Sequence, residues 1–198
     1  MNSFEVKIIE GIQKISSPVL DWFFRFVTLA GDFAAVLFIF AFLLIFFGAF
    51  KATKYAVIVG VTSLLGQILK FSIKRPRPYK FSNSIDNINI TSTNELASFP
   101  SGHTLMITVT AIFLCALFMK LVRNWWVRGV IIAAFSVLVL LVGFSRMYLG
   151  VHYLSDVLGA MLLAALVYVI TSYVYGKVWK SICKRIAKQK ACASSSAR

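Results

Sequence analysis

The chain has 198 residues; 59% are hydrophobic and 14% charged. A soluble domain is nearer half apolar and a quarter charged, so the composition excludes disorder, a collagen-like repeat and an ordinary cytosolic enzyme, and predicts an all-α, polytopic membrane protein of one domain. Twenty-one Lys and Arg stand against seven Asp and Glu, a formal charge of +14; in so apolar a chain this excess points to orientation signals and anionic lipid, not nucleic acid.

In chain order, residues 4–15 carry Phe4, Ile8, Ile12 and Ile15 on one face and Glu5, Lys7, Glu10 and Lys14 elsewhere, the pattern of a short amphipathic helix at the membrane interface. Residues 18–30 are apolar but few, and they include Asp21 and Arg25. Charges are costly in a bilayer, so this segment reads as a second interfacial or re-entrant helix. No signal peptide is expected, because a basic start, a charge-free core and a small-residue cleavage site are all missing.

Five apolar runs follow, at 33–50, 55–69, 104–119, 129–144 and 157–176. Each comes near the roughly 17–25 residues that cross about 30 Å of hydrocarbon once flanking residues complete the helix. Backbone groups in lipid must pair within the segment, so these runs are predicted as helices. Long alternating strands are missing, which argues against a β-barrel. The reading is of interfacial helices over 1–31, a five-span core over 33–176 and a basic tail over 177–198. Between the second and third runs lies a polar, turn-rich stretch, of which 80–99 is a candidate flexible rim or lid. Cys115, Cys183 and Cys192 form no spaced pattern, so neither a disulfide framework nor a zinc site is expected.

Five spans put Lys51 and Lys54, then Lys120, Arg123 and Arg128, then the tail from Lys177 onward on one side. Lys and Arg mark the cytoplasmic side, so the C-terminus is assigned there. The opposite side carries the stretch from Lys70, the start of the third span and the 145–156 connection. Its own cations, Lys70, Lys74, Arg75, Arg77, Lys80 and Arg146, need a local reason.

Three segments fall on that face: KFSIKRPRP over 70–78, PSGH over 100–103, and SRMYLGVHYLSD over 145–156. They hold both histidines of the chain and its last acidic residue, Asp156. His152 and Asp156 are four apart at the start of a predicted helix and share a face. A carboxylate beside an imidazole fixes its tautomer and raises its basicity. The planar fork of Arg146 suits two oxygens of a phosphate. Ser101, Gly102 and His103 open a helix, whose free N–H groups and positive end attract an anion; Gly102 lets an oxyanion come close. Lys70 lies at a helix end, and prolines stiffen the arginines after it. Spacing alone does not choose between Arg75-Pro76 and Arg77-Pro78.

Together these groups are an inventory for phosphoryl transfer without a metal or other cofactor. Cations and amides neutralise the equatorial oxygens. One imidazole attacks phosphorus in line while the other protonates the leaving oxygen. Metal-dependent hydrolysis would want more carboxylates or histidines side by side. Singly, each piece has a plainer explanation: a snorkelling anchor for Lys or Arg, a turn for Pro-Ser-Gly, a structural pair for His and Asp. Their joint occurrence on one face is what points to a site.

The segments resemble the tripartite signature of the type-2 phosphatidic acid phosphatase superfamily: Lys-x6-Arg-Pro, Pro-Ser-Gly-His and Ser-Arg-x5-His-x3-Asp. The matching residues are Lys70, Arg77 and Pro78; Pro100 through His103; and Ser145, Arg146, His152 and Asp156. The Lys-x6 spacing selects Arg77 over Arg75. The resemblance implies that His152 is a nucleophile forming a phosphohistidine, that Asp156 orients it, and that His103 is the general acid. It implies that Lys70, Arg77, Ser101, the Gly102 amide and Arg146 hold the phosphate, with no metal.

The same resemblance implies a bacterial inner-membrane lipid phosphatase with its site on the extracytoplasmic side. The favoured substrate is undecaprenyl diphosphate, with phosphatidylglycerophosphate or phosphatidic acid as the alternative. Many bacterial members have one more span; this chain reads as starting with an interfacial segment in place of the first. The rival readings are a phosphatase of small soluble esters using the same site and a non-enzymatic binder of anionic lipid. A soluble haloperoxidase, which shares the motif, does not fit five apolar runs.

Overall fold

In hydrocarbon a backbone satisfies its polar groups by forming helices, and the apolar runs do so. The computed structural model describes residues 3–86 and 97–196. Among them the regular elements are helices: α1 (Ser3–Gln13), α2 (Pro18–Thr28), a 3-10 turn (Leu29–Gly31), α3 (Phe33–Phe47), α4 (Ala49–Ile73), α5 (Pro78–Phe81), α6 (Gly102–Leu121), α7 (Trp125–Tyr148) and α8 (Leu154–Ser196).

The helices α4, α6, α7 and α8 are each long and apolar enough to cross a membrane. The run expected over 33–50 is cut at Gly48, whose φ of +82° lies where glycine alone enters cheaply. That leaves α3 with 15 residues, about 22 Å at 1.5 Å per residue, short of the hydrocarbon thickness. It passes as a span only together with α2, across a 48° bend at the 3-10 turn and Asp32. The pair brings the possible spans to five. Residues 18–30 are therefore one arm of a bent pair, and Lys51 and Lys54 sit inside the first turns of α4.

At the other end of the chain, α8 does not stop near Gly176. It continues through the basic tail for 43 residues in all, because nothing after Gly176 is glycine or proline.

The central helix is α6. Leu105, Val109, Phe113 and Leu117, spaced one turn apart on one face, pack with Tyr55 and Ile58 of α4 and Ala160 and Ala164 of α8. Tyr55 Oη and Thr110 Oγ1 meet at 2.9 Å within this core. Phe38, Ile45, Val130, Leu140, Leu166 and Ile170 are exposed, as suits side chains whose solvent is lipid.

The amphipathic α1 differs from its expected face. Ile9 is fully buried, with Val6 and Ile12 packed beside it against Ile85, Met147, Tyr153 and Val157. Phe4 and Ile15 are exposed. The cause is Glu5, which turns inward: Oε1 accepts from the Ser155 N–H at 2.9 Å and Oε2 from Arg75 Nη2 at 2.7 Å. Residues one turn on from Glu5 then face the bundle.

Candidate active site

The ends of α4 and α7 and the starts of α6 and α8 meet at one end of the bundle. Lys70 lies in the last turn of α4, which closes at Lys74 in the left-handed region. The chain then extends through Arg77, and Pro78 starts α5. Ser101 is the N-cap of α6. Arg146 lies in the last turn of α7, and a tight turn through Gly150, at φ +74°, delivers His152 just before α8.

Lys70, Arg77, Gly102, His103, Arg146 and His152 line one cavity of about 250 Å³. A Cβ on Gly102 would stand 3.9 Å from Lys70 Nζ, so the ammonium lies beside the start of α6. The two other residues implied by the signature lie behind the wall, both fully buried. Ser101 has its hydroxyl 2.9 Å from Thr104 Oγ1, and its N–H donates to the Asp156 carbonyl at 3.2 Å.

Asp156 stands beside His152 without a direct hydrogen bond to it. Its Oδ2 stands 3.7 Å from Nδ1, beyond hydrogen-bond range. The reason is local: α8 begins at Leu154, so His152 sits in the preceding turn and not one helical turn below Asp156. Ser98 fills the gap. Its hydroxyl makes a short hydrogen bond to Asp156 Oδ2 and lies 3.4 Å from His152 Nδ1. Asp156 also accepts from the Tyr153 N–H at 2.9 Å and from Arg75 Nη1 at 2.7 Å. Burial, with Arg146 and Arg77 close by, pushes the pKa of His152 down to about 3, against the pull of Asp156. The ring is thus neutral, with a lone pair, around pH 7.

The two arginines weighed in the sequence take different places. Arg77 is almost wholly buried and lines the cavity. Arg75 lies behind it, bonded to Asp156, Ser155 Oγ at 2.6 Å and Glu5, with its guanidinium 4.0 Å from the centre of the Tyr153 ring.

Sequence reasoning missed four contributors: Arg75 as a partner of Asp156, Ser98, Thr28 and Asp32. Arg146 Nη1 donates to Thr28 Oγ1 at 2.9 Å. Asp32, at the N-cap of α3, places Oδ1 2.6 Å from His103 Nε2. The available signal was the Gly31-Asp32 pair, a charge set between two apolar runs. Of the expected rim over 80–99, residues 87–96 lie outside the described residues. Its near edge is anchored, with Ile85 buried and the Ser98 N–H donating to the Arg75 carbonyl at 2.7 Å. Among the described residues, no three His, Cys, Asp or Glu side chains gather as a metal site would require.

A polytopic helical bundle with basic and imidazole side chains around a cavity at one end defines a class, the membrane phosphatases. Residues 51–180, which contain all three signature segments, match the family model of the PAP2 superfamily, and the chain belongs to that superfamily. It is 30% identical over 172 residues to undecaprenyl-diphosphatase BcrC of Bacillus subtilis, covering 84% of this chain and 80% of the relative. It is 31% identical over 121 residues to an undecaprenyl-diphosphatase of Sulfolobus acidocaldarius (59% of this chain, 53% of the relative). Against phosphatidylglycerophosphatase B of Bacillus subtilis the identity is 33% over 115 residues (56% and 51%). The chain thus spans about half the length of these last two relatives.

Among solved structures, Aquifex aeolicus LpxE superposes with a TM-score of 0.70 at 24% identity, covering 87% of this chain and 96% of that one. The PAP2 type phosphatidylglycerolphosphate phosphatase of Bacillus subtilis gives a TM-score of 0.69 at 25% identity, covering 89% and 86%.

Proposed function

We propose that this protein removes a phosphate from a membrane lipid, undecaprenyl diphosphate before others, through a phosphohistidine on His152 and without a metal. The observation that carries the reading is the meeting of His103 and His152 with Lys70, Arg77 and Arg146 on one cavity wall between membrane-crossing helices. The three cations and the first amides of α6 bind the terminal phosphate oxygens. His152, buried and neutral, attacks phosphorus through Nε2, while Nδ1 faces Ser98 and Asp156. As the P–O bond breaks, His103 gives its Nε2 proton to the leaving oxygen. Water then attacks the phosphohistidine, its proton passes to His103, and inorganic phosphate leaves.

The match to BcrC, the longest of the three alignments, supports the diphosphate. The likeness to phosphatidylglycerophosphatase B, in sequence and in a solved structure, favours phosphatidylglycerophosphate or phosphatidic acid as the second reading. The chain acts as a single membrane-embedded domain. The end opposite the site, with Lys51, Lys54, Lys120, Arg123 and Arg128, faces the cytoplasm together with the C-terminal tail, and the site opens on the extracytoplasmic side. Phosphate release from a panel of purified lipid diphosphates and monophosphates in detergent tests the reading, with His152→Ala as the blank. Release from the lipid diphosphate, lost in His152→Ala, is expected. Equal hydrolysis of a small water-soluble ester would remove the lipid specificity, and activity retained by His152→Ala would remove the nucleophile.

A further inference from the structure

An aspartate between two apolar helices is costly unless something holds it. Asp32 stands at such a point, where α2 and α3 bend by 48°. Its side chain lines the site cavity, with Oδ1 2.6 Å from Nε2 of His103. The approach is built into the backbone. A Cβ on Gly31 would lie 2.6 Å from the His103 carbonyl oxygen and 2.9 Å from its Cβ. The Leu29–Gly31 turn therefore rests on the first turn of α6, which only glycine permits. Thr28, one turn earlier, ties the same break to Arg146. Thr28, Gly31 and Asp32 all lie outside the 51–180 match to the family. The contact is supplied to the signature histidine from outside that region.

We propose that Asp32 is a positioning residue for the general acid: its carboxylate holds the His103 ring, with the proton on Nε2, at the wall where the leaving oxygen arrives. The inference rests on the phosphatase reading above. Lys70, Arg77 and Arg146 share the cavity with His103, as does His152. Three cations oppose an imidazolium, and a carboxylate in contact with it offsets them. When the P–O bond breaks, the Nε2 proton goes to the leaving oxygen and His103 becomes neutral. When water breaks the P–N bond of the phosphohistidine, its proton returns to Nε2. Asp32 gains and loses no proton over the cycle; its charge favours the loaded acid at the start and at the end. The Asp32 side chain is 39% exposed, so it has room to swing aside as the leaving oxygen takes the proton.

Kinetics of Asp32→Asn and Asp32→Glu on a lipid diphosphate in detergent provide the first test. Asparagine keeps the shape and removes the charge. It is expected to lower kcat by about 10- to 100-fold, part of the roughly 10²–10⁴ that general acid catalysis supplies, with KM little changed. Glutamate, which restores the charge, should recover part of the loss. A rise in KM alone, or a kcat that Asp32→Glu leaves as low as Asp32→Asn does, would overturn the proposal.

The second test needs no turnover. The chain has two histidines, so His152→Gln leaves His103 alone in a ¹⁵N-histidine spectrum of protein purified through a tag without histidine. A downfield Nε2-bound proton is expected, shifted upfield by Asp32→Asn and restored by Asp32→Glu. Its absence, or indifference to Asp32→Asn, overturns the contact. If the contact is present while the unaltered protein releases phosphate from no lipid, the phosphatase reading fails and the pairing stands.

Discussion

Arg75 Nη1 and Asp156 Oδ1 stand 2.7 Å apart, and the same guanidinium reaches Glu5 of α1 at 2.7 Å. One arginine thus links the acidic residue behind His152 to the first helix of the chain. Asp156 is fully buried, and removing one partner of a buried pair costs about 3–5 kcal/mol. Arg75→Met is expected to lower thermal stability by that order and to cut kcat, because Asp156 loses one of the donors that fix it behind the nucleophile. Glu5→Gln leaves the Asp156 contact in place. Burial raises the Glu5 pKa, but hydrogen bonds from Ser155 and Arg75 outweigh this and bring it below the usual carboxylate range. Its loss should still be the milder of the two. Thermal unfolding and kcat of both variants, measured side by side, check the order.

The burial of His152 makes a second prediction, and its sign is fixed. In the unfolded chain an imidazole takes a proton near pH 6.5; in the fold it does so only at about 3. Between these values the unfolded state binds more protons, so stability is full above pH 6.5 and declines as pH falls toward 3. The slope from this one group is at most about 1.4 kcal/mol per pH unit. Thermal midpoints in detergent from pH 7.5 to 4 should fall more steeply for the unaltered protein than for His152→Gln, which has no proton to gain. Parallel curves would show that burial does not hold the ring neutral.

The helical spans were legible because lipid leaves so few ways to satisfy a backbone, and because Lys70, Arg77, His103, Arg146 and His152 carry chemistry no apolar span needs. What stayed hidden depends on where a helix starts or breaks. The periodicity of residues 33–50 gives no sign that Gly48 ends α3. His152 and Asp156 have helical spacing, but α8 begins between them, and Ser98 fills the gap from 54 residues away in sequence. The burial of Glu5 turns α1 onto a face that its apolar residues alone would not select. Asp32 and Thr28 reach the site through the bend between α2 and α3, a tertiary arrangement that leaves only the Gly31-Asp32 interruption as a trace.

The turn that delivers His152 depends on Gly150. Its φ of +74° is one that L side chains rarely adopt, and a Cβ there would lie 2.2 Å from the Asp86 carbonyl oxygen and 3.0 Å from Gln13 Nε2. Gln13 Nε2 itself donates to that oxygen at 2.9 Å and to the Tyr148 carbonyl at 3.0 Å, so neither neighbour has room to yield. Gly150→Ala should cost about 1–2 kcal/mol for the left-handed backbone alone, and more from the clash. It is expected to lower kcat as well, because His152 lies two residues on. Gly176→Ala, where a Cβ meets nothing within 4 Å, is the control and should be neutral or slightly stabilising. Unfolding midpoints and phosphate release for the pair would decide it.

Orthovanadate offers a test of the in-line geometry. A five-coordinate vanadate bound to an imidazole nitrogen places three oxygens in the equatorial plane, where Lys70, Arg77, Arg146 and the first amides of α6 would meet them, and an apical oxygen on the side opposite the nucleophile. Groups arranged for the transition state bind its mimics more tightly than they bind substrate. Vanadate is therefore expected to compete with the lipid at concentrations well below those at which inorganic phosphate does so. His152→Ala should abolish this tight binding, measured by calorimetry on the inactive protein, because the fifth ligand is gone. Arg77→Lys should weaken it at least tenfold, since an ammonium cannot reproduce the two-point fork on a pair of oxygens. Vanadate that binds His152→Ala as tightly as the unaltered protein would mean that the imidazole does not face the anion, and the nucleophile would have to be sought elsewhere on the cavity wall.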